Sequence, residues 1–392
     1  MTSHDKFENV VYPSNVQIRE EAFFEDPRKL CTLTVLGNVQ KRFLNAMSEI
    51  GFCEFGLTLA SSHLYKFVLI GKICISLAGL FVLAVACSRV KKTRSFVALH
   101  TNVRRTLACQ VIYIIITNLF IFIGNSIDLI RLTIYHPDPC NYLLPYPLTF
   151  FVRETYMFGI FGVAMTFAML SLERLVATYH HKYEYNRSSL LFVCLVIIKV
   201  ACATTVAYVF MGYGLDFSIP VATFTAVTEG NADRLQAFVY VIIGCEVFCV
   251  LSYHVIFVLN IRERNQIAVK RKRLLQINKS LSEKYQIDET RKVLRMMLPV
   301  SWCHLVLHTT SYGGYWLYTK VAGSPRTYDD YVLFAAMVEI FGVTIFYPYA
   351  FAFFIWRHFV RARQRRFQHV LVEDTQDYFK QMNELFKSSP SK

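Results

Sequence analysis

The sequence predicts an all-α membrane protein, a bundle of seven transmembrane helices with the N-terminus outside and the C-terminus in the cytoplasm. Three observations carry that prediction: an apolar composition, seven charge-poor stretches each long enough to cross a bilayer, and Lys and Arg gathered into alternate connections. Of 392 residues, 54% are hydrophobic, 15% aromatic and only 18% charged, against about 25% charged in ordinary globular chains. A net charge of +14 is shared by disordered nucleic-acid-binding tails, but 33 Phe and 23 Tyr are incompatible with such a tail. No nucleic-acid partner is expected, and collagen and disulfide-scaffold classes are excluded by the same composition.

A helix needs about 20 apolar residues to cross a hydrocarbon core of about 30 Å. Seven stretches qualify: 67–87, 107–129, 150–172, 190–211, 236–260, 296–318 and 331–356. They divide the chain into an extracellular N-terminal segment (1–66), a seven-span domain (67–356) and a cytoplasmic tail (357–392). The first 30 residues mix charged and apolar residues without a continuous apolar run of about 7 to 15, so span one is expected to drive insertion itself.

Basic connections resist translocation. With the N-terminus outside, 28 of the 42 Lys and Arg fall in the three inner connections and the tail, and five fall in the outer ones. The third inner loop, IRERNQIAVKRKRLLQ then NKSLSEKYQIDETRKVLR, is amphipathic at helical spacing and is expected to continue spans five and six beyond the bilayer. Its charge suits an acidic partner or anionic lipid. RHFVRARQRRFQHV after Trp356 has the pattern of a short helix lying on the inner leaflet.

On this topology only Cys31, Cys53 and Cys140 face outside. An oxidising compartment permits one pair among the three; Cys53 with Cys140 would tie the segment before span one to the mouth of span three, and free thiols are the alternative. The second outer loop has no cysteine, so no disulfide can reach it. The sequons at Asn186 and Asn278 fall on the cytoplasmic side and are expected to carry no glycan.

Glu173 and Arg174 stand side by side where span three leaves the membrane on its inner face. Two readings are open: a snorkelling arginine marking the interface, or a latch in which Arg174 bonds Glu173 when closed and turns to a protein partner when open. Pro299 and Pro348 each remove a backbone donor inside an apolar helix, giving either a hinge or a tolerated membrane proline. Lys72, Asp128, Lys199, Glu246, His304, His308 and Glu339 lie within spans. Each costs about 2.5–3.5 kcal/mol at the centre of a membrane helix, so each is expected to face the bundle interior. Glu246 and Lys199 share mid-depth and are expected to pair, either as a structural ion pair or as part of a ligand or proton-linked site. Arg153, Glu154, Tyr240, Tyr312 and Glu339 lie toward the outer half, where a pocket between helices would open.

Enzymatic signals are weak. His304 and His308, four apart on one helix, have metal-ligand spacing, but with only His254 as another intramembrane histidine they read as core or pocket residues, and neither metal nor cofactor is expected. GYGLD at Gly212 to Asp216 departs from the membrane aspartyl-protease pattern, span seven has no lysine for a retinal Schiff base, and no phosphate-cradling glycine loop occurs.

Seven spans, Glu-Arg at the inner end of span three, a basic third loop and prolines in spans six and seven together resemble a G-protein-coupled receptor. CEFGLTLASSHLYK before span one, SFVALHTNVRRTL before span two with His100 and Asn102, LERLVATYHHKYEY after span three, and above all LSEKYQIDETRKVLRMMLP from Leu281 to Pro299 are similar to the nematode serpentine chemoreceptors of the Sra superfamily, in its alpha, alpha/beta and beta classes. Thr290 stands where that family usually has Asn. Glu-Arg-Leu replaces the Asp/Glu-Arg-Tyr of rhodopsin-like receptors, and Tyr347-Pro348-Tyr349-Ala350-Phe351 stands where they have Asn-Pro-x-x-Tyr. Microswitch roles from the rhodopsin-like family therefore do not transfer.

The resemblance implies a chemosensory receptor in the cell membrane of a sensory neuron or its cilium. Its expected partners are a small-molecule ligand, a heterotrimeric G protein and the lipid bilayer. The expected ligand contacts are Arg153, Glu154, Tyr240, Glu246, His308, Tyr312 and Glu339. The expected switch and G-protein contacts are Glu173, Arg174, Tyr183, Glu184, Lys270, Arg271, Pro299 and Pro348. The rival reading is a transporter or channel with Lys199, Glu246 and Glu339 along its path. No similarity between the two halves of the chain supports that rival.

Overall fold

Helices account for nearly all of the described chain. In the computed structural model the described residues are 51–93, 96, 99–179, 190–213, 217, 220–223, 232–273, 281–321 and 346–359. In chain order the helices are α1 (Phe52–Ser61), α2 (His63–Lys91), α3 (Thr101–Thr133), α4 (Tyr146–Tyr179), α5 (Leu190–Ala207), α6 (Ala232–Arg273), α7 (Leu281–Val321) and α8 (346–359). A short 3-10 turn, Pro139–Tyr142, precedes α4, and a π turn, Tyr208–Gly212, ends α5. Among the described residues the only β pairing is a single antiparallel bridge, Leu144 with Val221.

Local chemistry sets the starts of these helices. The Ser62 hydroxyl accepts a hydrogen bond from the Tyr65 amide at 3.2 Å and opens α2. The His100 ring accepts one from the Asn102 amide at 3.4 Å and opens α3. Five helices, α2 to α6, are long and apolar enough to cross a membrane among the described residues. The sixth apolar stretch lies within α7, and α8 carries the end of the seventh. The amphipathic third loop is helical on both sides, with α6 running on to Arg273 and α7 starting at Leu281.

The distribution of side chains is the reverse of that in a water-soluble protein. Phe67, Phe81 and Ile197 are 71%, 70% and 62% exposed, while Lys72, Gln110, Asn118, Glu246, His304 and His308 are buried. A solvent of hydrocarbon explains both halves of the pattern, since it accepts outward phenylalanines and drives polar groups inward. Some inward polar groups bond within their own helices, as Thr117 does to the Tyr113 carbonyl at 2.9 Å and Asn118 to the Ile114 carbonyl at 2.9 Å, and others bond across helices.

Helices α3 and α4 pack most closely. A methyl group built on Gly159 would stand 2.3 Å from Thr117 Oγ1 and 3.1 Å from its backbone nitrogen, and one on Gly162 would meet the Tyr113 ring at 2.1 Å. Glycine at these two positions lets the backbones approach. The central core, including Phe167, Tyr253, Met297, Val300, Tyr347 and Phe351, then draws α4, α6, α7 and α8 around α3.

At the outer end, as the sequence reading orients the chain, a disulfide joins Cys53 of α1 to Cys140 of the 3-10 turn, with Cα atoms 4.3 Å apart. Around it Phe55, Leu59, Tyr65, Leu132, Tyr142 and Ala222 form a second apolar cluster. Arg131 reaches Asp128 at 2.7 Å and the Ala222 carbonyl at 2.7 Å. The cysteine-free second outer loop is therefore held by a buried guanidinium and by the Leu144–Val221 bridge. Expectations for Cys31, the two sequons and the tail beyond residue 359 lie outside the described residues.

Candidate functional site

Among the described residues two buried polar clusters bear on function, one between α6 and α7 and one at the end of α4. The first is centred on Glu246 of α6. His304 Nδ1 lies 2.8 Å from Glu246 Oε1, and His308 Nδ1 bonds the same oxygen. All three side chains are at most 2% exposed. The i, i+4 spacing brings both imidazoles to one face of α7. Packing of α7 against α6 brings that face onto the carboxylate.

Aromatic rings close the cluster. Tyr347 of α8 packs edge-on against the His304 ring at 4.4 Å, Phe167 of α4 at 5.4 Å, and His308 itself at 4.6 Å. The Tyr347 hydroxyl accepts a hydrogen bond from Gln110 Nε2 of α3 at 2.6 Å. Glu246, His304 and His308 each present one ligand atom within 4.8 Å of the others, a set able to hold a metal ion.

The expected pairing of Glu246 with Lys199 does not form. Lys199 Nζ lies 4.5 Å over the Tyr113 ring and 3.3 Å from Thr166 Oγ1. Equal depth in the membrane does not set the direction in which a side chain leaves its helix. From α5, Lys199 faces α3 and α4, whereas Glu246 faces α7. Thr166 and Tyr113 were not singled out in the sequence, and no local pattern marks them.

Of the other expected ligand contacts, Arg153 stacks over the Tyr156 ring at 4.7 Å, and Glu154 is half-buried beside it with Oε2 unbonded among the described residues. Tyr240 is 41% exposed on α6. The Tyr312 side chain and all of Glu339 lie outside the described residues.

The second cluster ends α4. Arg174 Nη2 donates to Glu173 Oε1 at 2.8 Å, with both residues 2% exposed. Two adjacent residues on a helix point about 100° apart, so this contact needs both side chains to bend toward each other within a walled space. His100 Nδ1 lies 3.9 Å from Glu173 Oε1. Its backbone amide donates to Glu289 Oε1 of α7. Two further bonds fix α6 beside α4: the Tyr253 hydroxyl donates to the Phe167 carbonyl at 2.9 Å, and Asn260 Nδ2 to Thr178 Oγ1 at 3.2 Å. The start of α3 and the entry to α7 thus meet at the buried Glu173–Arg174 pair.

Glu289 is the residue of this cluster that the sequence reading did not assign a role. No local pattern in LSEKYQIDET marked it; the burial of Ile287, Glu289 and Thr290 is visible only in the fold. Pro299 lies inside α7, where it leaves the Arg295 carbonyl without its helical donor. Pro348 lies in the first turn of the described α8, beside Gly79 of α2, and the Tyr349 hydroxyl donates to the Ile75 carbonyl at 2.6 Å. Lys270 and Arg271 lie in the last turn of α6, their side chains outside the described residues, as are Tyr183 and Glu184 entirely.

A model of the serpentine type 7TM GPCR receptor class ab chemoreceptor family matches residues 52–387. No curated protein gives a match.

Proposed function

The chain belongs to the serpentine class ab chemoreceptor family of seven-transmembrane receptors, and from that premise we propose that it binds a small chemical from outside and activates a heterotrimeric G protein inside. It is a multi-pass membrane protein, and we place its N-terminus outside, its tail in the cytoplasm and its site of action in a sensory neuron or its cilium. Ligand contacts are drawn from Arg153, Glu154, Tyr240, Glu246, His308, Tyr312 and Glu339. The G protein meets Arg174, Tyr183, Glu184, Lys270 and Arg271. Pro299 and Pro348 act as hinges.

The observation that supports this reading best is the buried Glu173–Arg174 pair at the end of α4, with Glu289 of α7 bonded to His100 nearby. A switch needs two discrete states with different contacts. In the closed state Arg174 is spent on Glu173, and α7 is held to the start of α3. Separation of α6 and α7 from α4 releases both contacts and frees the guanidinium for a partner. A ligand drives that change only by binding the open arrangement more tightly than the closed one.

Nucleotide exchange on a G protein, measured in membranes carrying the chain and a panel of volatile, water-soluble and fatty-acid-derived compounds, tests the reading. Compound-dependent exchange that is altered by Arg174→Ala supports it. Silence across the panel, with surface expression verified and a control receptor active, overturns it.

A further inference from the structure

Glu246, His304 and His308 have more in common than a hydrogen-bonded triad requires. Both imidazoles turn Nδ1 to a single oxygen, Glu246 Oε1, while Oε2 has no hydrogen-bond partner among the described residues. Only His308 makes a hydrogen bond there; His304 Nδ1 lies 2.8 Å from the same oxygen without hydrogen-bond geometry. A cation placed among the three atoms, all within 4.8 Å of one another, would take one lone pair from each. The site is also buried, with Tyr347 and Phe167 packed on His304, so an anionic carboxylate there requires a counter-charge. The mid-depth cation Lys199 is engaged with Tyr113 and Thr166 instead.

We propose that Glu246, His304 and His308 form a binding site for a divalent first-row transition cation, zinc above all, that ties α6 to α7 in the middle of the membrane. Two nitrogens and one oxygen suit zinc, and they disfavour calcium and magnesium, which take oxygen ligands. Bonds of about 2.0–2.1 Å place tetrahedral ligands about 3.3 Å apart. The 2.8 Å between His304 Nδ1 and Glu246 Oε1 therefore needs to open by about 0.5 Å, and the shorter His308–Glu246 contact by more. A proton on either Nδ1 has to leave that nitrogen before a metal binds. Binding moves each neutral imidazole to the tautomer protonated at Nε2, with the Nδ1 lone pair on the cation. Three protein ligands leave a fourth position for water or another donor.

The inference goes beyond the receptor reading and is tested without ligand or G protein. The full chain, purified in nanodiscs and stripped with a chelator, is titrated with Co2+, whose ligand-field absorption changes on entering a nitrogen and oxygen site. The expected result is saturation at about one equivalent with displacement by Zn2+, and an upward shift in Tm of about 3 °C or more with Zn2+ well above its Kd. His304→Gln and His308→Gln are each expected to weaken retention about a hundredfold or more. His254→Gln, a histidine on α6 packed against Trp302, is expected to leave it unchanged. Because a variant can lose metal by failing to fold, the wild-type titration decides on its own. A Co2+ spectrum identical to that of the free ion, with no Zn2+ effect on Tm, overturns the site and leaves an imidazolium–carboxylate pair in its place. So does equal uptake by wild type and a folded double variant of both histidines.

Discussion

Glu289 and His100 are 189 residues apart in sequence, yet the Glu289 carboxylate accepts a hydrogen bond from the His100 backbone amide. The contact spans from the entry of α7 to the start of α3, beside the Glu173–Arg174 pair. A main-chain donor cannot be lost by side-chain variation, so the strength of this contact is set from the carboxylate side. A hydrogen bond to a charged group contributes about 1.5–3 kcal/mol. Glu289→Ala is expected to raise ligand-independent nucleotide exchange about tenfold or more. Exchange no higher than wild type, at equal surface expression, would show that this contact does not hold the closed state.

Close approach of α3 and α4 rests on the absence of side chains at Gly159 and Gly162. Gly162→Ala puts a methyl group into the Tyr113 ring, and Gly159→Ala puts one against the Thr117 backbone. Either is expected to destabilise the bundle by about 1–3 kcal/mol, with Gly159→Ala the harder to accommodate because backbone moves less readily than a ring. Thermal unfolding in nanodiscs measures both. An unchanged Tm for both would mean that the helices are further apart than described.

The Cys53–Cys140 disulfide closes a long loop containing α1, α2 and α3. Cys53→Ser with Cys140→Ser is expected to cost about 2–4 kcal/mol. Under reducing conditions wild type should fall to the Tm of the double variant. A reductant effect that persists in the double variant would assign the loss to other thiols.

The buried pair Asp128–Arg131 gives a sharper comparison of singles and double. Asp128→Ala leaves the Arg131 guanidinium buried beside the Ala222 carbonyl without its carboxylate. Loss of one partner of a buried pair costs about 3–5 kcal/mol. Asp128→Asn with Arg131→Gln keeps two groups that can bond each other and is expected to be the milder change. Additive losses in Tm would show that the two residues act independently.

His358, at the end of α8 beyond the last apolar stretch, is held below its ordinary pKa first by burial and then by the Arg295 and Lys292 charges. In the unfolded chain it binds a proton more readily than in the fold. Its contribution to stability is therefore complete above about pH 6.5 and is lost as the pH falls below that value toward the depressed pKa. Between pH 7.5 and pH 5.5, wild type is expected to lose more Tm than His358→Gln. Equal losses would place the pH dependence in other groups.

Much of this architecture was legible because a membrane imposes a simple rule. A crossing helix must be apolar for about 20 residues, and among the described residues five helices, α2 to α6, are long and apolar enough to obey it. Rotation about the helix axis was not legible. Lys199 and Glu246 share depth but leave their helices in different directions, and the partners that Glu246 takes lie 58 and 62 residues further along. The i, i+4 histidines were visible as a possible ligand pair. Their third member became visible only when α6 and α7 were side by side. Tyr240 was placed by its level in the sequence, and the fold adds that it is 41% exposed on α6.

Helix α6 is 42 residues long, about 63 Å at 1.5 Å per residue. That is roughly twice the hydrocarbon thickness of a bilayer. From Glu246 to the Arg273 end is about 40 Å of helix, held beside α7 by His304 and His308 at one end and beside α4 by Tyr253 and Asn260 further along. Release of the Tyr253 and Asn260 bonds to α4 would let this length turn about Glu246 as a lever. A tilt of about 5° at the fulcrum displaces the basic tip by about 3.5 Å. Sub-ångström adjustments around one carboxylate are thereby magnified several-fold at the cluster of Lys270 and Arg271, so the mechanical gain of the molecule is set by how far its longest helix outruns the bilayer.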